Sequence, residues 1–241
     1  MNCPLCGYKK TVQVWKAPYS VLQCQKCQLF FHAKYYSPDE LKKFYSLKYC
    51  FGGRGGAIAV SSTEKRVFTE ESYKEFLRRS LRKKFIPLIA TFEPPKDVLE
   101  IGADAGGASF HMKEKGFNVE AVEICKEYAK RMENGGIKVY TDFFENVKFT
   151  KKYDVIVALE VIEHFSKPLL CINKIYDLLN DGGSFIFETP IAPEGLVKSA
   201  TYGIQEAHYC VFNPVSLKVL FQKFSKVPEF LHGTLVYEVI K

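Results

Sequence analysis

From Asp97 onward the sequence alternates between short apolar runs and amphipathic runs, with glycines at most of the joins. That order admits few folds, because strands joined through helices lie parallel and need helices on both faces of their sheet. The runs "DVLEIG", "FNVEAVEI", "IKVYTD", "YDVIVALEVI" and "SFIFETP" are predicted strands. The runs "ASFHMKEKG", "CKEYAKRMENGG", "KPLLCINKIYDLLNDGG" and "SLKVLFQKF" are predicted helices. The final "KVPEFLHGTLVYEVIK" contains two extended runs around His232-Gly233, and so short a turn joins only antiparallel neighbours. The expected fold is α/β: a doubly wound, mostly parallel seven-stranded sheet with one antiparallel strand near its end.

Before this core, Cys3-Pro4-Leu5-Cys6 and Cys24-Gln25-Lys26-Cys27 form two C-x2-C pairs separated by seventeen residues. That spacing suits a tetrahedral zinc site, with each pair presenting two thiolates from one tight turn. The segment between them reads as two short strands, so a small zinc ribbon is expected over residues 1–35. About thirty residues cannot bury a self-sufficient core, and the metal would supply much of the local folding free energy. The zinc is therefore read as structural, held by Cys3, Cys6, Cys24 and Cys27. The other four cysteines, Cys50, Cys125, Cys171 and Cys210, are scattered, a distribution that favours metal over disulfides.

Residues 36–92 read as a helical linker or lid region. "SPDELKKFYSLKYC" begins with helix-start residues, and a second helix begins near Thr69 with a basic face. Between them "FGGRGG" places four glycines around Arg54, either a lid over substrate or a linker. The third segment, 93–241, is the α/β domain. The formal charge of +7 is too mild to identify an anionic partner, and neither a signal segment nor a membrane span is evident, so a cytoplasmic protein is expected.

In "EIGADAGG", residues 100–107, a glycine-rich turn leads from the first strand into a helix, and an acid, Glu123, ends the next strand. This is the plan of a nucleoside site: the loop lets a ligand approach the backbone and the carboxylate takes ribose hydroxyls. A dinucleotide would lay its pyrophosphate on the loop, where Asp104 would repel it. S-adenosylmethionine has no phosphate there and carries a sulfonium and an ammonium, so acids at 100 and 104 suit it. Asp is also enriched among non-glycine residues at positive φ, so Asp104 can replace a glycine sterically.

The motifs "VLEIGADAGG", "VEAVEI", "YDVIVALEVIEHFSKPL" and "LLNDGGSFIFETP" resemble those of the class I S-adenosylmethionine-dependent methyltransferases, over about three fifths of the chain. The resemblance implies a Rossmann-like domain that binds S-adenosylmethionine. It assigns Glu100, Gly102 and Gly106 to the donor loop, with Asp104 departing from the commonest glycine pattern. It makes Glu123 the ribose acid and Ile124 the apolar neighbour of the adenine. Asp142 and Phe143 would lie along the adenine ring, and Glu160 at the mouth of the site. The ribbon joined to this core further resembles a branch of such enzymes found with sugar and polysaccharide biosynthesis.

Methyl transfer needs the acceptor aligned and, if its pKa is high, deprotonated. His164 in "EVIEHF" and His208 in "EAHYCVF" follow predicted strand ends, where open α/β sheets bind ligands. Either is a candidate general base, with Glu163 placed to orient or compete, and Glu206 lies two residues before His208. Tyr45, Tyr49 and Tyr202 are candidates to line the acceptor side. The expected activity is methyl transfer to a small-molecule or carbohydrate acceptor. Two alternatives stand beside it: a nucleic-acid methyltransferase that clamps RNA between the ribbon and the basic helix, and a non-catalytic donor-binding protein.

Overall fold

The computed structural model describes residues 1–16, 20–34, 40, 80–193, 208–230 and 233–241. The chain divides into two compact units, one of Met1–Tyr35 with Phe149–Lys241 and one of Tyr36–Lys148.

The first unit opens on three antiparallel strands, β1 (Thr11–Trp15), β2 (Val21–Cys24) and β3 (Phe30–His32), in the order β1-β2-β3. β1 and β2 are the two strands expected between the cysteine pairs. Each pair sits on a turn of the same construction. The N–H of Gly7 donates to the carbonyl of Cys3, and that of Gln28 to the carbonyl of Cys24. Both closing residues are left-handed, with φ 70° at Gly7 and 61° at Gln28. Glycine adopts that backbone at no steric cost and Gln28 does not.

In the second unit α1 (Ser80–Ile89) precedes β4 (Asp97–Ile101), α2 (Gly107–Glu114), β5 (Asn118–Val122), α3 (Lys126–Asn134) and β6 (Lys138–Tyr140). β5 pairs in parallel with both β4 and β6, placing Glu100 opposite Ala121 and Ala121 opposite Val139. Met132 of α3 and Ile137 pack with Ala103 and Ala121, and Phe110 of α2 closes that cluster. The period-3.6 apolar positions of α3 thus cover the sheet residues that the period-2 pattern turns toward them.

The first unit continues with β7 (Tyr153–Leu159), a 3-10 helix (Ile162–His164), α4 (Pro168–Leu178), β8 (Leu179–Ile191), β9 (Cys210–Val211), α5 (Pro214–Leu220) and β10 (Gly233–Ile240). β7 and β8 are parallel and fully apolar over most of their pairing, as strands covered on both faces are. β10 is antiparallel to β8, running from Gly233 opposite Ile191 to Ile240 opposite Ser184.

The sequence reading needs two corrections here. Residues 179–183, expected to end the helix "KPLLCINKIYDLLNDGG", open β8 instead, where Leu179 pairs with Tyr153 of β7. Six strands of the α/β domain are present among the described residues, where seven were expected, because "KVPEF" is not a strand. Its backbone pairs with β10 through an isolated bridge between Lys226 and Ile240 and not through a ladder. Pro228 lacks an N–H for a ladder, and aromatic packing draws β10 to β8 instead. Tyr237 lies opposite Phe187 with their rings stacked 5.7 Å apart. Phe221, at the C-cap of α5, stacks on Phe187 at 4.7 Å, and Phe230 meets Tyr237 edge-on at 5.2 Å.

The ribbon does not stand alone in its unit. β9 pairs antiparallel with β3, making a four-stranded sheet β1-β2-β3-β9. Val21 and Phe30 of the ribbon are buried with Ala192 and Val211. Asn213, whose side chain caps α5 in a reciprocal capping box with Ser216, also donates from Nδ2 to the carbonyl of Gln28 at 2.9 Å. The second cysteine turn is thereby tied to the N-terminus of α5.

Candidate active site

β4 passes into α2 through a loop whose backbone is left-handed at three positions: Gly102 (φ 68°), Asp104 (φ 50°) and Gly106 (φ 83°). Asp104 takes the conformation expected of a stand-in for glycine. Gly106 has a stricter requirement, since a Cβ there would lie 2.7 Å from Met132 Cγ and 3.1 Å from Phe110 Cε2. Gly106→Ala is expected to destabilise the protein by ~1–3 kcal/mol through backbone strain, before any repacking. Chemical denaturation measures this; an unchanged midpoint would show that Met132 yields at no cost and that the φ is relaxed.

Two carboxylates hold this loop. Glu100 is buried and accepts the hydroxyl hydrogen of Ser109, in the first turn of α2. Glu123, one residue past β5 and also buried, accepts the N–H of Asp104 on Oε2 and the N–H of Cys125 on Oε1, each at 2.7 Å. The acid thus joins the loop after β4 to the start of α3, and each oxygen keeps a lone pair for a further donor. Burial raises its carboxyl to about 8; the charges of Asp104 and Glu100 add to the rise, and the two N–H donors oppose it. Ile124 follows half-buried. Past β6, Asp142 accepts the N–H of Phe143 at 2.7 Å and the amide of Asn146 at 3.2 Å. The carboxyl ends of three neighbouring strands therefore present acids, an arrangement that favours a ligand bearing hydroxyl donors and positive charge over one bearing phosphate.

In the other unit, β7 is followed by Glu160, left-handed at φ 59°, whose N–H donates to the carbonyl of Glu188 at 2.9 Å. The chain then enters the 3-10 helix that carries Glu163 and His164. Glu163 is fully buried; Oε2 accepts the Thr189 hydroxyl at 2.9 Å, while Oε1 has no hydrogen-bond partner. Burial, and after it the charge of Glu160, pushes its carboxyl well above the usual range. His208 is buried, and its ring meets that of His164 edge-on at 4.8 Å. The candidate ligand atoms of Glu163, His164 and His208 all lie within 4.8 Å of one another. Three residues proposed separately from sequence thus form one cluster.

The four ribbon cysteines converge likewise. Their Sγ atoms lie within 4.8 Å of one another, with Cys3 3.5 Å from Cys27 and Cys6 3.6 Å from Cys24. All four are free thiols, far beyond the ~2.05 Å of a disulfide. The backbone N–H of Lys26 points at Cys24 Sγ from 3.4 Å, a donor suited to a thiolate. The hydrogen shared with Cys27 pulls the Cys3 thiol down to about 5 and pushes the Cys27 thiol up, so one sulfur of that pair ionises readily.

Sequence reasoning missed Ser109 and Thr189, the hydroxyls that hold Glu100 and Glu163. Ser109 stands outside the quoted motifs, and Thr189, inside "LLNDGGSFIFETP", had no role assigned there; only the pairing of elements aims them at an acid. The "FGGRGG" loop, Tyr45, Tyr49, Tyr202, Glu206, Cys50 and most of the basic helix lie outside the described residues. None of the described helices is long and apolar enough to cross a membrane.

Parallel strands, a positive-φ loop after the first strand of the α/β domain and a buried acid past the second define a Rossmann-like nucleoside-binding fold. A family model described as a methyltransferase domain matches residues 73–224, more than half of the sequence. The chain belongs to this family, and to the class I S-adenosylmethionine-dependent methyltransferases. A ubiquinone biosynthesis O-methyltransferase of Rickettsia canadensis is 32% identical over 101 residues, 39% of this chain and 42% of that protein. One of Actinobacillus pleuropneumoniae is 30% identical over 106 residues, 39% of this chain and 45% of that one. The chain thus matches less than half the length of these curated relatives. Among solved structures, the PH0226 protein of Pyrococcus horikoshii superimposes with a TM-score of 0.52 at 14% identity, over 70% of this chain and 91% of that one. A coclaurine N-methyltransferase bound to N-methylheliamine and SAH gives a TM-score of 0.53 at 17% identity, over 80% of this chain and 59% of that one. At these identities the likeness establishes the fold.

Proposed function

We propose that the protein transfers a methyl group from S-adenosylmethionine to the hydroxyl of a small-molecule acceptor. The observation that carries the donor half is Glu123: a buried carboxylate that has already organised the Asp104 loop and keeps one lone pair per oxygen for the two ribose hydroxyls. Glu100 and Asp104 favour the cationic donor over a dinucleotide, and Ile124, Asp142 and Phe143 are read as the adenine side. Oxygen as the acceptor atom is supported by the curated relatives, which are named O-methyltransferases. A carbohydrate is the acceptor class suggested by the resemblance of the ribbon-bearing chain to sugar-pathway enzymes. His164 or His208 takes the acceptor proton in this reading, with Glu163 as its neighbour.

The ribbon is proposed to hold one structural Zn2+ on Cys3, Cys6, Cys24 and Cys27. Zinc–thiolate bonds of ~2.3 Å in a tetrahedron set sulfurs ~3.8 Å apart, close to the 3.5 and 3.6 Å of the two contacts. The metal would fix the two cysteine turns against each other and takes no part in the transfer.

Calorimetry tests the donor assignment. S-adenosylmethionine is expected to bind more tightly than any nicotinamide dinucleotide, and Glu123→Ala to weaken it by ~1–3 kcal/mol, roughly 5- to 150-fold. Tighter binding of a dinucleotide would overturn the reading. A pH series gives a second readout. The ribose hydroxyls need the carboxylate, and the free protein holds Glu123 protonated below about 8. Donor affinity should therefore rise with pH toward that value and level off above it, a dependence that Glu123→Gln should flatten.

A further inference from the structure

We propose that Glu163, His164 and His208 form a second metal site, distinct from the cysteine cluster, that takes a divalent cation. Four observations meet here. The candidate ligand atoms of the three side chains lie within 4.8 Å of one another. Glu163 has no exposed surface, and its Oε1 has no hydrogen-bond partner, so neither imidazole satisfies it. A buried carboxylate oxygen left without a donor is costly, and a cation removes that cost. The Thr189 hydroxyl on Oε2 fixes the carboxylate from behind, as second partners of metal-binding carboxylates do. Finally, Glu188 on β8 is also buried, and Glu160, whose N–H it receives, begins the same turn, so the surroundings are rich in acid.

A cation ~2.1 Å from each ligand holds them at most ~4.2 Å apart, so the cluster needs to close by roughly half an ångström, within reach of side-chain torsions. Two imidazole nitrogens and one carboxylate oxygen suit Mn2+, Fe2+, Co2+ or Zn2+ rather than an all-oxygen ion. Three protein ligands leave coordination positions open, as catalytic sites do. An acceptor hydroxyl bound at such a position would lose its proton to water more easily, the cation stabilising the oxygen anion that is left. This use rests on the methyl-transfer reading; the binding of the ion does not.

The test is Mn2+ binding to the full chain, followed by electron paramagnetic resonance, with S-adenosylmethionine affinity measured separately on the same samples. One Mn2+ is expected per wild-type chain. Glu163→Gln and His208→Ala should each weaken it at least tenfold. Circular dichroism identifies any variant that fails to fold, and His164→Ala then takes its place. Absence of Mn2+ binding, or equal affinity in wild type and folded variants, would overturn the site. Failure to bind S-adenosylmethionine while Mn2+ binds would instead overturn the donor reading and leave the metal site standing.

Discussion

Replacing Cys24 and Cys27 together by serine is expected to abolish zinc binding and to lower the melting temperature of the unit that contains the ribbon. Structural zinc contributes ~10–16 kcal/mol of apparent binding energy in small zinc-finger peptides, far more than the ribbon's own core can replace. That core holds Val21 and Phe30 only because Ala192 and Val211 complete it. Loss of the second cysteine turn would also release the bond from Asn213 to Gln28 and the β3–β9 pairing. The melt should therefore report on more than the first thirty-five residues. Metal analysis gives the direct answer, and unchanged zinc stoichiometry in the double variant would reject the four-cysteine assignment.

Turnover should fall by ~10²–10⁴ when the histidine acting on the acceptor is changed to glutamine, with donor affinity nearly intact, since proton removal affects the transition state and not donor binding. The edge-on contact of His164 with His208 makes the two single variants informative as a pair. A drop in one alone identifies a base with a supporting neighbour. Equal drops in both, together with lost Mn2+, fit the shared metal site. Full turnover in both, measured with the true acceptor, would reject either role and leave alignment alone to account for catalysis.

Much of this was legible in the sequence because its causes are local. Alternation of period-2 and period-3.6 apolar patterns prescribes strands and helices whatever their partners; β4 to β7 fall where those patterns lie, and β8 contains the expected "SFIFETP" but begins earlier, at Leu179. The C-x2-C spacing prescribes two thiols on one turn. Asp104 at φ 50° follows from what few side chains tolerate in a left-handed turn. What the local signals do not carry is the choice among distant partners. β10 looked like half of a hairpin, yet its neighbour is β8, because Tyr237 stacks on Phe187 and Pro228 spoils the nearer strand. The ribbon read as a separate segment over residues 1–35, yet it borrows β9 from nearly two hundred residues away. Glu163 and His164 stood adjacent in the sequence, but only folding brings His208 and Thr189 to them. Local sterics are written residue by residue, whereas the joining of remote segments depends on which packing of side chains outweighs the entropy of closing the loop between them, a quantity belonging to the whole fold.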